Sequence, residues 1–262
     1  MKFDFSNQIV MITGANGGIG SAIAMNFLED EATVVLPVHR KSENINKLIE
    51  QYGSDRVISL SIDLKNLDSI KNVVEEVDKR FGKLNVLVNN AGITWPVPLE
   101  EMSEEAWDYV FDTNIKGPFF LTQKILPLMR KAGGGSIVNI SSMSGHEPYP
   151  GMGAYSSSKA AFNMLTRQLA LEWAPYNIRV NAVCPGLIRT PLSEEIYQNK
   201  EIHEKRKQLI PLKRIGKDEE IANVVSFISS SKASYMTGQT VLVDGGLIGS
   251  VHSHIVGRPS NK

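Results

Sequence analysis

The sequence predicts an α/β fold: one domain, residues 1–262, built on a doubly wound, seven-stranded parallel sheet flanked by helices. Three observations predict it. Short runs rich in β-branched residues alternate with longer segments whose apolar residues recur every three or four positions. A glycine-rich turn joins the first run to the first helix-like segment. The 262 residues, 42% of them hydrophobic, suffice for one large core, and no composition break or Pro/Gly-rich linker divides it.

The first strand is expected over residues 9–13, all apolar up to its closing threonine, and the first helix over 19–30, directly after the glycines. Strands follow at 33–38, 57–61, 84–89, 136–141, 179–183 and 239–243, rich in Val and Ile. Between them, helical periodicity predicts elements at 44–52, 67–81, 103–129, 154–173 and 218–229. The helix over 103–129 contains Gly117-Pro118, a pair that predicts a kink just after Asn114. Residues 187–211 break the alternation, being polar, charged and poorly periodic, and are expected to form a substrate lid over the sheet's edge. Residues 247–262 form a C-terminal extension with no readable pattern.

The 28 basic and 28 acidic residues cancel, which removes the global field that would draw the chain onto nucleic acid. No run reaches about 18 apolar residues, so a membrane span is not expected, and the polar start MKFDFSNQ lacks the apolar stretch of a secretory signal. A lone cysteine, Cys184, cannot close an internal disulfide. A cytoplasmic protein is the simplest reading.

The turn Thr13-Gly14-Ala15-Asn16-Gly17-Gly18-Ile19-Gly20 lets backbone amides approach a pyrophosphate at a helix N-terminus. Its spacing is G-x-x-x-G-x-G, and glycine also serves tight strand-to-helix turns for steric reasons, so the turn alone leaves both readings open. At the end of the second strand, where an acid would hydrogen-bond a ribose 2′-hydroxyl, stand Val38-His39-Arg40-Lys41. A guanidinium there can pair with a 2′-phosphate, so NADP(H) is favoured over NAD(H), although Arg40 and Lys41 would also suit the start of a solvated helix.

Tyr155 and Lys159 lie at i and i+4, which places both on one helix face. A nearby ammonium at about 4 Å supplies roughly the 4 kcal/mol needed to bring a phenol's pKa toward neutrality. That spacing also occurs on many surface helices, so context decides. Ser142 closes the fifth strand, at the sheet end where open α/β folds place ligands. Other reactive types carry less. His252 and His254 lack further metal-ligand partners, so no metal is expected. His146 could line a pocket or cap a loop, Trp95 could form a pocket wall or pack on the next helix, and Cys184 reads as a small buried filler.

With these residues in view, the chain resembles the short-chain dehydrogenase/reductase family over nearly its whole length. The T-G-x-x-x-G-x-G turn spans Thr13 to Gly20, N-N-A-G is Asn89-Asn90-Ala91-Gly92, and S…Y-x-x-x-K is Ser142, Tyr155 and Lys159. Asn114 completes a catalytic tetrad. The resemblance implies a Rossmann-type fold and hydride transfer between a nicotinamide and a carbonyl or secondary alcohol carbon. Tyr155 would be the acid/base, Ser142 would orient the substrate oxygen, and Lys159 would hold the nicotinamide ribose and lower the tyrosine pKa. Asn114 would hold a relay water.

The same resemblance implies cofactor contacts at Gly14, Asn16, Gly18, Ile19, Gly20, His39, Arg40, Asp63, Leu64, Asn90, Ala91, Gly92, Pro185, Gly186, Ile188 and Thr190, and a homotetramer packed through the Tyr155 helix. Within the family the chain resembles the 3-oxoacyl-[acyl-carrier-protein] reductase branch through Pro211-Leu212-Lys213-Arg214-Ile215-Gly216. Where carrier-protein-dependent members have basic docking residues, this chain has Gly133-Gly134-Gly135 and Tyr176. That departure argues against an acyl carrier protein as partner unless Arg130, Lys131 or Lys205 to Lys207 substitute. The alternatives are a glucose-type sugar or polyol dehydrogenase, on the strength of the extended tail, and a non-catalytic cofactor-binding sensor, against which the complete tetrad argues.

Overall fold

A computed structural model describes residues 3–39 and 42–250. Met1, Lys2, Arg40, Lys41 and residues 251–262, with His252 and His254, lie outside the described residues.

The elements run in the order β1 (Ile9–Ile12), α1 (Gly18–Glu29), β2 (Thr33–Val38), α2 (Glu43–Tyr52), β3 (Val57–Ser61), α3 (Leu67–Phe81) and β4 (Val86–Asn89). The second half contains α4 (Glu104–Phe111), α5 (Gly117–Lys131), β5 (Gly135–Ile140), α6 (Tyr155–Trp173) and β6 (Ile178–Pro185). It continues through β7 (Ile188–Arg189), α7 (Glu194–Gln198), α8 (Lys200–Leu209), β8 (Gly216–Lys217), α9 (Asp218–Ser229) and β9 (Thr240–Val243). Seven strands form one parallel sheet in the order β3-β2-β1-β4-β5-β6-β9, and β7 pairs with β8 apart from it.

Period-two alternation sends β1 into both layers. Val10 and Ile12 join the core under α1, α2 and α9 with Phe27, Ile45 and Val225. Ile9 and Met11 join the core under α3, α5 and α6 with Val73, Ile125 and Leu169. Strands buried on both faces read as continuous apolar runs, which explains why 9–12 is legible without alternation. Helix ends follow local chemistry: Asn66 caps α3 by accepting from Asp68 N and Ser69 N, and Gly82 ends it in the left-handed region at φ 64°.

The strand order reverses between β1 and β4, which opens a crevice at their C-terminal ends. The two ends are laced there. Thr13 Oγ1 accepts from the main-chain N–H groups of Asn90 and Ala91, both at 3.1 Å, while Asn90 Nδ2 donates to Thr13 O and Gly14 O at 3.0 Å.

The break expected just after Asn114 in the segment 103–129 takes the form of a π-helical turn, Asp112–Lys116, that joins α4 directly to α5. Pro118 has no N–H to return to the Asn114 carbonyl four residues earlier, so the ladder widens there. The poorly periodic segment 187–211 holds regular structure. It contains α7 and α8, the latter capped by Asn199, whose side chain accepts from Glu201 N and Ile202 N. Because α8 buries no residue, it has no apolar stripe for periodicity to detect.

Arg179, half-buried on β6, donates to the carbonyls of Met236, Ser229 and Ser230, each at 3.2 Å. Its charge thereby meets the negative end of α9. The Arg179→Ala variant is expected to unfold about 1–3 kcal/mol more easily in urea titration, with an unchanged m-value.

Candidate active site

A cleft of about 1080 Å³ runs along the C-terminal ends of the strands. One end is the glycine turn. Gly14 and Gly18 adopt φ of +71° and +55°, which favour glycine. A Cβ on Gly20 would lie 2.5 Å from both Gly14 O and Asn90 Nδ2, so the turn closes only with glycine there. Asn16 and Ile19 line the cleft with these glycines, and the Asn16 carbonyl accepts from Ser42 Oγ at 3.3 Å and Asn44 Nδ2 at 3.0 Å.

The outer wall is made by His39 after β2 and by Asp63 and Leu64 after β3. Asp63 Oδ1 accepts from Lys65 N at 2.9 Å, which holds that turn. Asn90, Ala91 and Gly92 line the middle, and Pro185, Gly186, Ile188 and Thr190 line the far side. Every sequence-predicted cofactor position among the described residues therefore borders one cleft; Arg40 lies outside them.

At the cleft's inner end are Ser142, Tyr155 and Lys159. Tyr155 opens α6 and Lys159 follows one turn later, its ammonium 5.7 Å from the tyrosine ring centre. Lys159 is nearly fully buried and donates from Nζ to Ile140 O at 2.9 Å. Burial pulls its pKa down to about 8. Ser142 Oγ accepts from Ser144 N at 3.0 Å, and its hydroxyl is hydrogen-bonded to the Tyr155 phenol.

The expected ammonium-driven lowering of the Tyr155 pKa is corrected here. Burial pushes the phenol up, and the opposing pull comes from its hydrogen bond with Ser142, with the nearby Cys184 adding to the upward shift. The reason is distance and desolvation: the amine is turned toward Ile140 O, and its own charge is costly in this site.

Asn114 does not line the cleft. It is fully buried in the π-helical turn, where Oδ1 accepts from Ile93 N at 2.8 Å and Nδ2 donates to Ile93 O and Ser158 Oγ, both at 3.0 Å. With both amide protons committed, its side chain clamps the segment after β4 to α6. A Cβ on Gly92 would stand 3.3 Å from both Asn114 Oδ1 and Lys159 Nζ, so this glycine brings the cleft floor against both residues.

The structure places the two residues with open readings, and Cys184. Trp95 packs edge-on against Tyr109 of α4, ring centres 6.0 Å apart. His146 is exposed, and its N–H donates to Met143 O at 2.9 Å, closing the turn after Ser142. Cys184 is buried, with its thiol pushed up to about 11 by burial, so it is no nucleophile.

Sequence reasoning missed Tyr109, Thr113 and Lys65 in the cleft wall; Lys65 Nζ sits 4.5 Å from the Tyr109 ring centre. No local signal marks them, because α4 meets the β3 turn only through tertiary packing. Among the described residues, no helix is long and apolar enough to cross a membrane.

Comparison with known proteins agrees with this geometry. Residues 14–248 match the family described as Enoyl-(Acyl carrier protein) reductase. A 3-oxoacyl-[acyl-carrier-protein] reductase FabG from Thermotoga maritima is 42% identical over 243 residues, spanning 92% of this chain and 98% of that protein. The Homo sapiens dehydrogenase/reductase SDR family member 4 is 36% identical over 244 residues, spanning 92% and 87%. The crystal structure of a short-chain dehydrogenase/reductase, glucose/ribitol dehydrogenase, from Brucella melitensis superposes with a TM-score of 0.87 at 36% identity, covering 94% of this chain and 99% of that one.

Proposed function

The chain belongs to the short-chain dehydrogenase/reductase family, oxidoreductases of CH–OH and C=O groups, and from that premise we propose that it reduces a 3-oxoacyl thioester or a related ketone with NADPH. The observation that carries this reading is a single cleft joining a glycine cradle, in which a Cβ at Gly14 or Gly20 would lie within 2.8 Å of neighbouring atoms, to the Ser142, Tyr155 and Lys159 cluster.

The residues present fit a dinucleotide. Gly14, Asn16, Gly18, Ile19 and Gly20 would hold its pyrophosphate, Asp63 and Leu64 its adenine, and Pro185, Gly186, Ile188 and Thr190 its nicotinamide end, with Asn90 to Gly92 and Lys159 between them. A bound nicotinamide supplies the hydride in reduction and accepts it in oxidation. Tyr155 donates its phenolic proton to the substrate oxygen, and Ser142, whose hydroxyl meets the phenol, orients that oxygen. Thr190 roots residues 187–211 against the glycine turn: a Cβ on Gly18 would stand 3.2 Å from Thr190 Cβ. This contact supports a lid role for that segment over one catalytic domain.

The thioester of a small carrier is favoured over acyl carrier protein, because Gly133-Gly134-Gly135 and Tyr176 stand where carrier-protein-dependent members have basic docking residues. Arg130 sits over the Tyr176 ring at 4.3 Å, and Lys131, Lys205 and Lys207 pair with Asp78, Glu201 and Glu204. A glucose-type dehydrogenase is the second reading, supported by the likeness to the Brucella melitensis protein. A homotetramer is the assembly that fits the outward Met164 and Leu171 of α6, 60% and 80% exposed.

Initial rates of NADPH and NADH oxidation with acetoacetyl-CoA and diketones, set beside NADP⁺-dependent glucose oxidation, test the reading. Faster turnover of the oxoacyl thioester supports it; turnover of glucose alone overturns it. NADP preference is assigned to Arg40, so Arg40→Asp is expected to raise the Kd for NADPH at least about tenfold while leaving that for NADH within about twofold. Equal changes in the two constants, measured by cofactor fluorescence, would reject the assignment.

A further inference from the structure

Helix α6 carries an amide where its packing calls for an apolar group. Asn163 is only 8% exposed, between the buried Phe162 and Thr166 and one turn beyond Lys159. Asparagine is a poor helix former, and a buried amide costs free energy unless its groups are bonded. Such local rule-breaking is expected at functional positions.

Both ends of the amide are used. Asn163 Nδ2 donates to Gly145 O at 3.2 Å, and Oδ1 accepts from Cys184 Sγ at 3.7 Å. Gly145 ends the short turn Met143–Gly145 that Ser142 itself caps: Ser142 Oγ accepts from Ser144 N, and Ser142 O accepts from Gly145 N at 3.0 Å. The turn is pressed onto α6. A Cβ on Gly145 would lie 2.7 Å from Asn163 Nδ2 and 2.8 Å from Lys159 O. A second tie, Ser141 Oγ to Lys159 O at 3.2 Å, joins the same helix to the end of β5.

We propose that Asn163 is a positioning residue, held from β6 by Cys184, that fixes the Ser142 turn against α6 and so sets the Ser142 hydroxyl in register with Tyr155. It touches neither reacting atom. Without its bond to Gly145 O, the turn keeps its fold but loses its lateral anchor, and the hydroxyl drifts from the phenol. Since the Ser142 hydrogen bond opposes the burial that pushes Tyr155 up, its loss raises the tyrosine pKa further. The titratable groups around Tyr155 are Lys159 on its own helix and Cys184 on β6; neither is replaced in the variants of Asn163, which do remove the acceptor of the Cys184 thiol.

The inference rests on the reading of Tyr155 as acid/base, and the experiment separates the two. Absorbance at 295 nm is titrated with pH in the NADP⁺ complex, and the wild-type curve minus that of Tyr155→Phe isolates one phenol. Acetoacetyl-CoA reduction is followed in parallel. In the neutral variants Asn163→Leu and Asn163→Ala the Tyr155 titration should move up by about half a unit to one unit. In both, kcat should fall about tenfold or more, with the NADPH Kd unchanged.

Cys184→Ala, which keeps the Gly145 bond but frees the amide's far end, is read in kcat alone, because loss of the thiol also removes an upward influence on Tyr155; it should lower kcat by less than the Asn163 variants with the NADPH Kd unchanged, and serves if those variants do not fold. An unmoved titration in the Asn163 variants overturns the inference, as does an unchanged kcat in Cys184→Ala or a fall in kcat matched by an equal loss of cofactor binding. An active Tyr155→Phe enzyme would instead overturn the acid/base reading itself.

Discussion

The Tyr155→Phe enzyme is expected to turn over about 10²–10⁴ times more slowly than the wild type, the usual worth of a positioned acid/base. Phenylalanine keeps the ring that opens α6 and removes only the hydroxyl that hydrogen-bonds Ser142. Circular dichroism and NADPH affinity should therefore match the wild type, and the loss should appear in kcat. A variant at wild-type rate would remove Tyr155 from the chemistry.

The pH dependence has a definite sign. Burial raises the Tyr155 pKa, so the phenol stays protonated through neutrality. Reduction, which consumes that proton, should hold its rate to alkaline pH. Oxidation, which needs the phenolate, should rise as pH increases. A reduction rate that falls between about pH 6 and 8, within the range where an unperturbed tyrosine of pKa near ~10 remains protonated, would contradict the burial-dominated site.

Lys159→Met is expected to have the second large effect, and in two opposite directions. The amine stands against Gly92 and the cleft floor, so its loss should cut kcat/KM about 10²-fold or more. Stability should rise. The folded-state pKa is about 8 against an ordinary 10.5, so between those values the unfolded chain binds more protons and stability climbs with pH. Below about pH 8 the full cost of burying the ammonium is present, up to about 3 kcal/mol at 1.36 kcal/mol per pKa unit.

Methionine of similar length removes that cost but leaves Ile140 O without its donor, which returns about 1–2 kcal/mol. The net gain should be about 1–2 kcal/mol at pH 7, seen as a Tm increase of about 2–4 °C per kcal/mol. It should vanish at about pH 9–10, where the remaining cost equals that of the orphaned carbonyl, and reverse by about pH 10.5. A Tm that falls at neutral pH would mean that the Ile140 bond outweighs desolvation.

Much of this protein was legible in the sequence because its signals are local. The seven strands follow from short, continuous runs of β-branched residues, and the helix faces from a side-chain period of 3.6 residues. The glycine turn follows from backbone conformations that only glycine adopts freely, at Gly14 and Gly18. Tyr155 and Lys159 share a face because four residues make about one helical turn. The sheet end bearing Ser142 follows from parallel winding.

What tertiary structure decided is which faces meet and what meeting costs. Tyr109 and Lys65 enter the cleft wall only because α4 packs over the β3 turn. Asn114 became a clamp rather than a lining group once Pro118 opened the π-helical turn around it. The depressed Lys159 pKa and the raised Tyr155 pKa depend on desolvation. A sequence specifies charges and spacings, but the water removed from around them is set by every element packed nearby.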